Sequence, residues 1–254
     1  MNKIALITGA TSGIGKACAM RFADYSYDVI ITGRRKDLLD EVADTIRSKY
    51  GVEVLPLCFD VRDRAVIKKS VKELTGKWKT IDVLVNNAGL ASGLNSFQEG
   101  LYEDWDKMID TNVRGLLYMT RYIVPLMIQN GKGHIINIGS IAGRDAYPNG
   151  NVYCATKAAV DSITRGMRID LLQHGIRVSL VEPGAVETEF SEVRFKGDKV
   201  KAKNVYNGYQ PLTGDDVADV VYFVSSVPPH VNISDVMVVP TAQASATIVH
   251  KQLE

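Results

Sequence analysis

Tyr153 and Lys157 stand four residues apart in the stretch YCATK, and Ser140 lies thirteen positions before the tyrosine, at the end of the apolar run GHIINIGS. On a helix, residues four apart share a face, one above the other. A phenol ordinarily ionises near pH 10, too high for easy proton exchange near neutrality. An ammonium beside it favours the phenolate, and further positive charge nearby would add to that. A phenol tuned in this way can exchange a proton with an oxygen on a carbon undergoing oxidation or reduction. A serine hydroxyl could hold the same oxygen by a hydrogen bond. Asn112, in DTNVRG, falls inside a helical pattern, away from the caps and turns where asparagine is at home. An ordinary amphipathic helix accounts for the Tyr–Lys pair taken alone, so its surroundings must decide.

Those surroundings alternate short β-rich runs with longer helical patterns. Residues 3–8, 28–32, 53–59, 81–85, 133–139, 176–181 and 236–239 read as strands, several of them apolar on both faces. Helical patterns cover about 14–25, 35–50, 63–77, 103–129, 151–173 and 214–226. Strand–helix alternation with right-handed crossovers predicts an α/β fold: a doubly wound parallel sheet of about seven strands with helices on both faces. The chain has 254 residues, 46% hydrophobic and 23% charged, enough for one domain, 1–252, to bury a substantial core. One polar excursion, about 185–212, breaks the rhythm and reads as a lid or binding loop. The terminal pair 253–254 reads as a possible cloning remnant.

After the first strand comes TGATSGIG. Gly9, Gly13 and Gly15 let the backbone approach a pyrophosphate closely, with Thr11, Ser12 and Ile14 between them. The helix that follows would offer free N–H groups and a positive dipole end. In this context the loop predicts a Rossmann-type dinucleotide site, although its spacing is G-x-x-x-G-x-G. At the end of the second strand, where a site for NAD usually carries an acid, the sequence has Arg34 and Arg35. Two guanidinium groups at the unfavourable end of a helix dipole suit a 2′-phosphate, so NADP(H) is the expected coenzyme. Asp60 and Val61, beyond the third strand, sit where an adenine could rest. Asn87, Ala88 and Gly89 of VNNAG follow the fourth strand at the same carboxyl edge.

Other features narrow the function by exclusion. A formal net charge of +1 argues against nucleic acid or an anionic membrane as partner, and the basic stretch 68–79 reads as a solvated helix face. No apolar run approaches membrane-spanning length, and the N-terminus enters a strand pattern at once, so no signal peptide is expected. Cys18, Cys58 and Cys154 read as reduced core or near-core thiols of a cytoplasmic protein. The four histidines show no metal-ligand spacing, and no metal is expected. Trp78 and Trp105 read as core or interface anchors.

Taken together, TGxxxGxG, NNAG, an internal Asn, and Ser followed thirteen residues later by YxxxK resemble the classical short-chain dehydrogenase/reductase family over essentially the whole chain. The resemblance implies a catalytic tetrad of Asn112, Ser140, Tyr153 and Lys157. Tyr153 would be the acid/base, and Ser140 would orient the substrate. Lys157 would bind the nicotinamide ribose and lower the phenol's pKa, and Asn112 would hold a relay water. In EPGAVET, Pro183, Gly184, Val186 and Thr188 are similar to the family's PG motif, with Thr188 on the carboxamide. Stretches such as EFSEVRF and VPTAQAS resemble the NADP-dependent 3-hydroxy acid dehydrogenases. That likeness implies a small carboxylate-bearing substrate and a homotetramer. A carboxylate asks for a cation, and Arg144 and Arg194 are the candidates, although either could instead close a structural salt bridge. A reductase of larger carbonyl substrates and a non-catalytic NADP(H) sensor remain alternatives.

Overall fold

Each short apolar run becomes a strand in the computed structural model, which describes residues 2–252. The strands are β1 (Ile4–Thr8), β2 (Asp28–Gly33), β3 (Val54–Cys58), β4 (Val83–Asn86), β5 (Gly133–Ile138), β6 (Ile176–Pro183) and β7 (Asp235–Val238). They pair in parallel throughout, in the order β3-β2-β1-β4-β5-β6-β7. The connecting helices are α1 (Gly13–Asp24), α2 (Lys36–Tyr50), α3 (Arg64–Lys72), α4 (Tyr102–Ile109), α5 (Leu116–Gln129), α6 (Asn151–Asp170), α7 (Phe190–Arg194), α8 (Lys199–Asn204) and α9 (Gly214–Ser226). The order reverses direction between β1 and β4, which opens a crevice at the carboxyl edge there.

Alternation along β1 builds the core. Ala5 and Ile7 join the cluster under α1, α2 and α9, while Ile4 and Leu6 join the opposite one with Ile67 of α3 and Ile123 of α5. Both faces of the central strands are therefore dry, as the continuous apolar runs require. Local signals set the helix boundaries. Asp63 accepts from the backbone N–H groups of Ala65 and Val66 to start α3, and a Thr213–Asp216 capping box starts α9.

The structure departs from the sequence-based expectation in three places. The 103–129 pattern is not one helix: a π-helical turn, Asp110–Gly115, separates α4 from α5. Gly115 there packs against Val61, where a Cβ would come within 2.7 Å of Val61 Cγ2. The 63–77 pattern stops at Lys72, and a 3-10 turn follows from Gly76, whose φ is +55°. Cys58 is exposed, in contrast to buried Cys18 and Cys154, because it ends the edge strand β3. The excursion is closed at its base by two backbone bonds, Glu187 N–H to Leu212 O and Leu212 N–H to Ala185 O, and it carries α7 and α8.

His134 of β5 is buried. Ser179 donates to Ile233 O, so His134 Nε2 must donate to Ser179 Oγ at 2.8 Å, which leaves Nδ1 without a partner among the described residues. Burial, with Arg177 nearby, pushes the imidazole pKa down from 6.5 to about 3. The unfolded chain therefore takes up this proton first. The contribution to stability is complete above pH 6.5 and is lost as pH falls toward 3, at up to about 1.4 kcal/mol per pH unit. In urea titrations at pH 7 and pH 4.5, a His134→Gln variant is expected to lose less stability between the two than the wild type. Parallel losses would show that this histidine does not set the acid sensitivity.

Candidate active site

A cleft of about 400 Å³ opens along the carboxyl edge and is lined from the β1–α1 loop to the excursion. Its floor starts at the glycine loop. Gly9 and Gly13 adopt left-handed backbone, φ +68° and +53°, which a side chain would strain. Ser12 is the N-cap of α1 but makes no capping bond; its hydroxyl instead accepts from Arg35 at 2.8 Å. The first N–H groups of α1 are thus left for an anion. Gly15, expected as a coenzyme contact, does not line the cleft. A Cβ there would fall 2.2 Å from Gly9 O, so its smallness serves loop-to-helix packing.

The loop is locked from β4. Thr8 Oγ1 accepts from the N–H groups of both Asn87 and Ala88 at 3.0 Å. Asn87 Nδ2 in turn donates to Thr8 O and Gly9 O. Asn87 thus lines the cleft while its amide holds the scaffold.

Among the expected contacts, Thr11, Ile14, Arg34, Arg35, Asp60, Val61, Ala88, Gly89, Pro183, Gly184, Val186 and Thr188 line the same cleft. Arg35 donates to Thr11 Oγ1 and Ser12 Oγ and pairs with Glu189 at 2.8 Å. Arg34 lies 3.7 Å from Asp60, which Arg62 holds more closely. The lining also includes Thr32 and Thr111, whose buried hydroxyls find no partner among the described residues. Unpaired buried hydroxyls call for a ligand or water. With the free helix end and two cations, they make the cleft suited to a phosphorylated dinucleotide. Sequence reasoning missed both threonines, since nothing in their neighbourhoods distinguishes them from strand or helix residues.

At the other end Ser140, Tyr153 and Lys157 converge. Ser140 is the extended last step off β5, and its Oγ accepts from Ala142 N–H at 3.1 Å. Tyr153 and Lys157 are buried on the inner face of α6. Lys157 Nζ donates to Ile138 O at 2.8 Å and lies 6.0 Å from the centre of the Tyr153 ring. A Cβ on Gly89 would sit 3.3 Å from Asn112 Oδ1 and 3.7 Å from Lys157 Nζ, so this glycine keeps room where those side chains meet. Asn112 does not line the cleft. Within the π-helical turn it ties the loop after β4 to α6: Oδ1 accepts from Leu90 N–H, and Nδ2 donates to Leu90 O and Thr156 Oγ1.

Burial dominates the electrostatics. It pushes the Tyr153 phenol above its usual value and the Lys157 ammonium down to about 8. Against it, the Arg194 guanidinium is the cation that favours the phenolate, with the Ser140 hydroxyl acting in the same sense. Lys157, the cation the resemblance assigns to that role, lies 6.0 Å from the ring centre and donates to Ile138 O, and its own charged form is disfavoured by burial.

Arg194, from the excursion, is caged by Tyr153, Phe190 and Tyr147, with ring centres 5.0, 5.3 and 5.6 Å from its Cζ. It also donates to the Tyr147 hydroxyl, and its buried Nε has no partner among the described residues; it lines a small pocket that shares Tyr153 with the cleft, not the cleft itself. Arg144 is elsewhere, which corrects its candidacy for a substrate carboxylate. Its Nε donates to both Oε atoms of Glu182 at 2.9 Å, and Nη2 also contacts Oε2. Glu182 is 1% exposed, so this arginine neutralises a buried acid.

Comparison with known proteins agrees with this architecture. A family model described as short chain dehydrogenase matches residues 3–199. The chain is 47% identical over 250 residues to the NADP-dependent 3-hydroxy acid dehydrogenase YdfG of Salmonella typhi, covering 98% of this chain and 99% of that protein. It is 44% identical to the NADP-dependent 3-hydroxy acid dehydrogenase of Schizosaccharomyces pombe, covering 98% and 97%. Among solved structures, the closed form of a serine dehydrogenase complexed with NADP+ superimposes with a TM-score of 0.92 at 45% identity, covering 98% of this chain and 100% of that one.

Removing Arg144 would leave Glu182 buried and unpaired, while the cleft, which neither residue lines, loses no contact. Arg144→Met is expected to cost about 1–3 kcal/mol of unfolding free energy, measured by denaturant titration. A variant as stable as the wild type would show that the pair does not support the end of β6.

Proposed function

This chain belongs to the short chain dehydrogenase family, and we propose that within it the chain is an NADP-dependent dehydrogenase of small 3-hydroxy acids. Substrates of the serine, allo-threonine, 3-hydroxyisobutyrate, and 3-hydroxypropionate or malonic semialdehyde type fit this reading. The curated relatives named for that activity support it at near full length. The observation that carries the substrate class is Arg194. Its guanidinium lies against the Tyr153 ring and lines a small pocket that adjoins the cleft at Tyr153; with one buried N–H unpartnered among the described residues, it supports a carboxylate bound beside the phenol.

NADP(H), when bound, supplies or accepts the hydride. Arg34, Arg35, Thr11 and Ser12 would hold its 2′-phosphate end, and Thr188 and Val186 its nicotinamide end. Ser140 Oγ binds the substrate oxygen, and Tyr153 Oη exchanges the proton with that oxygen. Burial makes the phenolate costly, so the neutral phenol is the resting acid. Arg194 and Ser140 offset part of that cost when the proton leaves. Lys157 Nζ, lowered to about 8, stands within reach of proton exchange near neutral pH, and its remaining N–H donors are free for a ribose hydroxyl. Asn112 keeps the loop after β4 in place against α6. A homotetramer and a cytoplasmic location belong to the same reading. Exposed apolar residues such as Leu117 and Ile128 of α5 and Ile169 of α6 support the assembly. No helix among the described residues is long and apolar enough to cross a membrane.

The test is a panel with NADP+ covering 3-hydroxy acids, one uncharged secondary alcohol and one 3-oxoacyl thioester with NADPH. Small 3-hydroxy acids should have the highest kcat/KM. Arg194→Ala should raise KM for them about tenfold or more, consistent with loss of a charge-assisted hydrogen bond, and should raise it far less for the uncharged alcohol. Equal effects on both would remove Arg194 from the substrate site, and preference for the thioester would replace the substrate class.

A further inference from the structure

Arg35 and Glu189 come from opposite sides of the cleft. Arg35 is the N-cap of α2, at the end where the coenzyme's 2′-phosphate is expected. Glu189 precedes α7 on the excursion. Their side chains meet at 2.8 Å, and both residues line the cleft. The other arm of the Arg35 fork rests on Thr11 Oγ1 and Ser12 Oγ, at 3.0 and 2.8 Å. Beside Glu189, Thr188 touches the glycine loop, with its Cβ 3.2 Å from where a Cβ on Gly13 would stand.

We infer that Glu189 is a coenzyme-selectivity residue, a carboxylate that takes the place of the 2′-phosphate on Arg35 and must release it when a phosphorylated coenzyme binds. The inference rests on the NADP reading. Among the described residues Arg34 is opposed only by Asp60, at 3.7 Å, and Asp60 is claimed by Arg62 through three contacts from Nε and Nη2. The acid that neutralises Arg35 is therefore supplied by the excursion and not by its own strand end. Both partners are about half exposed, 46% and 49%, so the pair is weak enough to exchange. A phosphate monoester carries about −1.5 to −2 charge and three acceptor oxygens, and it should displace a single carboxylate from a guanidinium fork. A coenzyme with no 2′-phosphate leaves the bridge in place. Glu189 thus weakens binding of the phosphorylated coenzyme alone, and each exchange frees the excursion from the α2 side of the cleft.

Calorimetric titration of NADPH and NADH into the full chain tests this, using wild type, Glu189→Gln, Arg35→Ser and the double variant, with thermal melts to confirm folding. Glu189→Gln should lower the NADPH Kd about two- to fivefold and leave that of NADH unchanged. In the Arg35→Ser background the same change should have no effect on NADPH. Unchanged or weaker NADPH binding overturns the inference, as does equal tightening of both coenzymes or a gain that survives without Arg35. If Arg35→Ser keeps the full preference for NADPH, the coenzyme assignment through Arg35 fails and this inference fails with it. Loss of that preference beside a silent Glu189→Gln removes only the bridge.

Discussion

Parallel pairing in one register is the constraint from which the rest of the molecule follows. Because each strand runs the same way, Thr8, Gly33, Asn86, Ile138 and Pro183 all arrive at one edge. Both faces of the sheet are covered by apolar clusters, and the acids buried in its strands are paired, Asp28 with Lys77 and Glu182 with Arg144. The polar groups that face the cleft gather at that edge, where the strand order reverses and the covering helices part. Changing the direction of a single strand would send its terminal residue to the opposite end of the sheet.

The cleft distributes its cations over two ends. Arg34 and Arg35 stand at one and Lys157 at the other, with Arg194 against the Tyr153 ring in a small adjoining pocket. Each is held by a partner an incoming anion or dipole could replace or share: Asp60, Glu189, a backbone carbonyl, or aromatic faces. Burial at the chemical end raises the phenol and lowers the ammonium, so both groups favour their neutral forms more than they would in water. Low dielectric surroundings also strengthen what Arg194 and Ser140 do for the tyrosine.

Much of this was legible beforehand for identifiable reasons. Strand and helix alternation follows from apolar periodicity, and the glycine loop from the backbone conformations of Gly9 and Gly13. The Tyr153–Lys157 pair follows from helical spacing. Long-range partners were not legible. Arg144 and Arg194 looked equivalent as free cations until Glu182, 38 residues on, proved to occupy the first and an aromatic cage to surround the second. Asn112 signalled itself by being out of place in a helix, but its bonds to Leu90 and Thr156 depend on a π-helical turn that no local pattern announces.

The sequence by itself determined the fold class, the edge that carries the chemistry and the residue types gathered there, because periodicity, glycine geometry and helix spacing act over a few residues. Tertiary structure alone decided which charges are paired, which cation reaches the phenol and which hydroxyls stay unsatisfied. Those outcomes depend on burial and on distances between residues far apart in the chain. Coulomb and desolvation energies follow separation in space, and separation along the chain does not encode it.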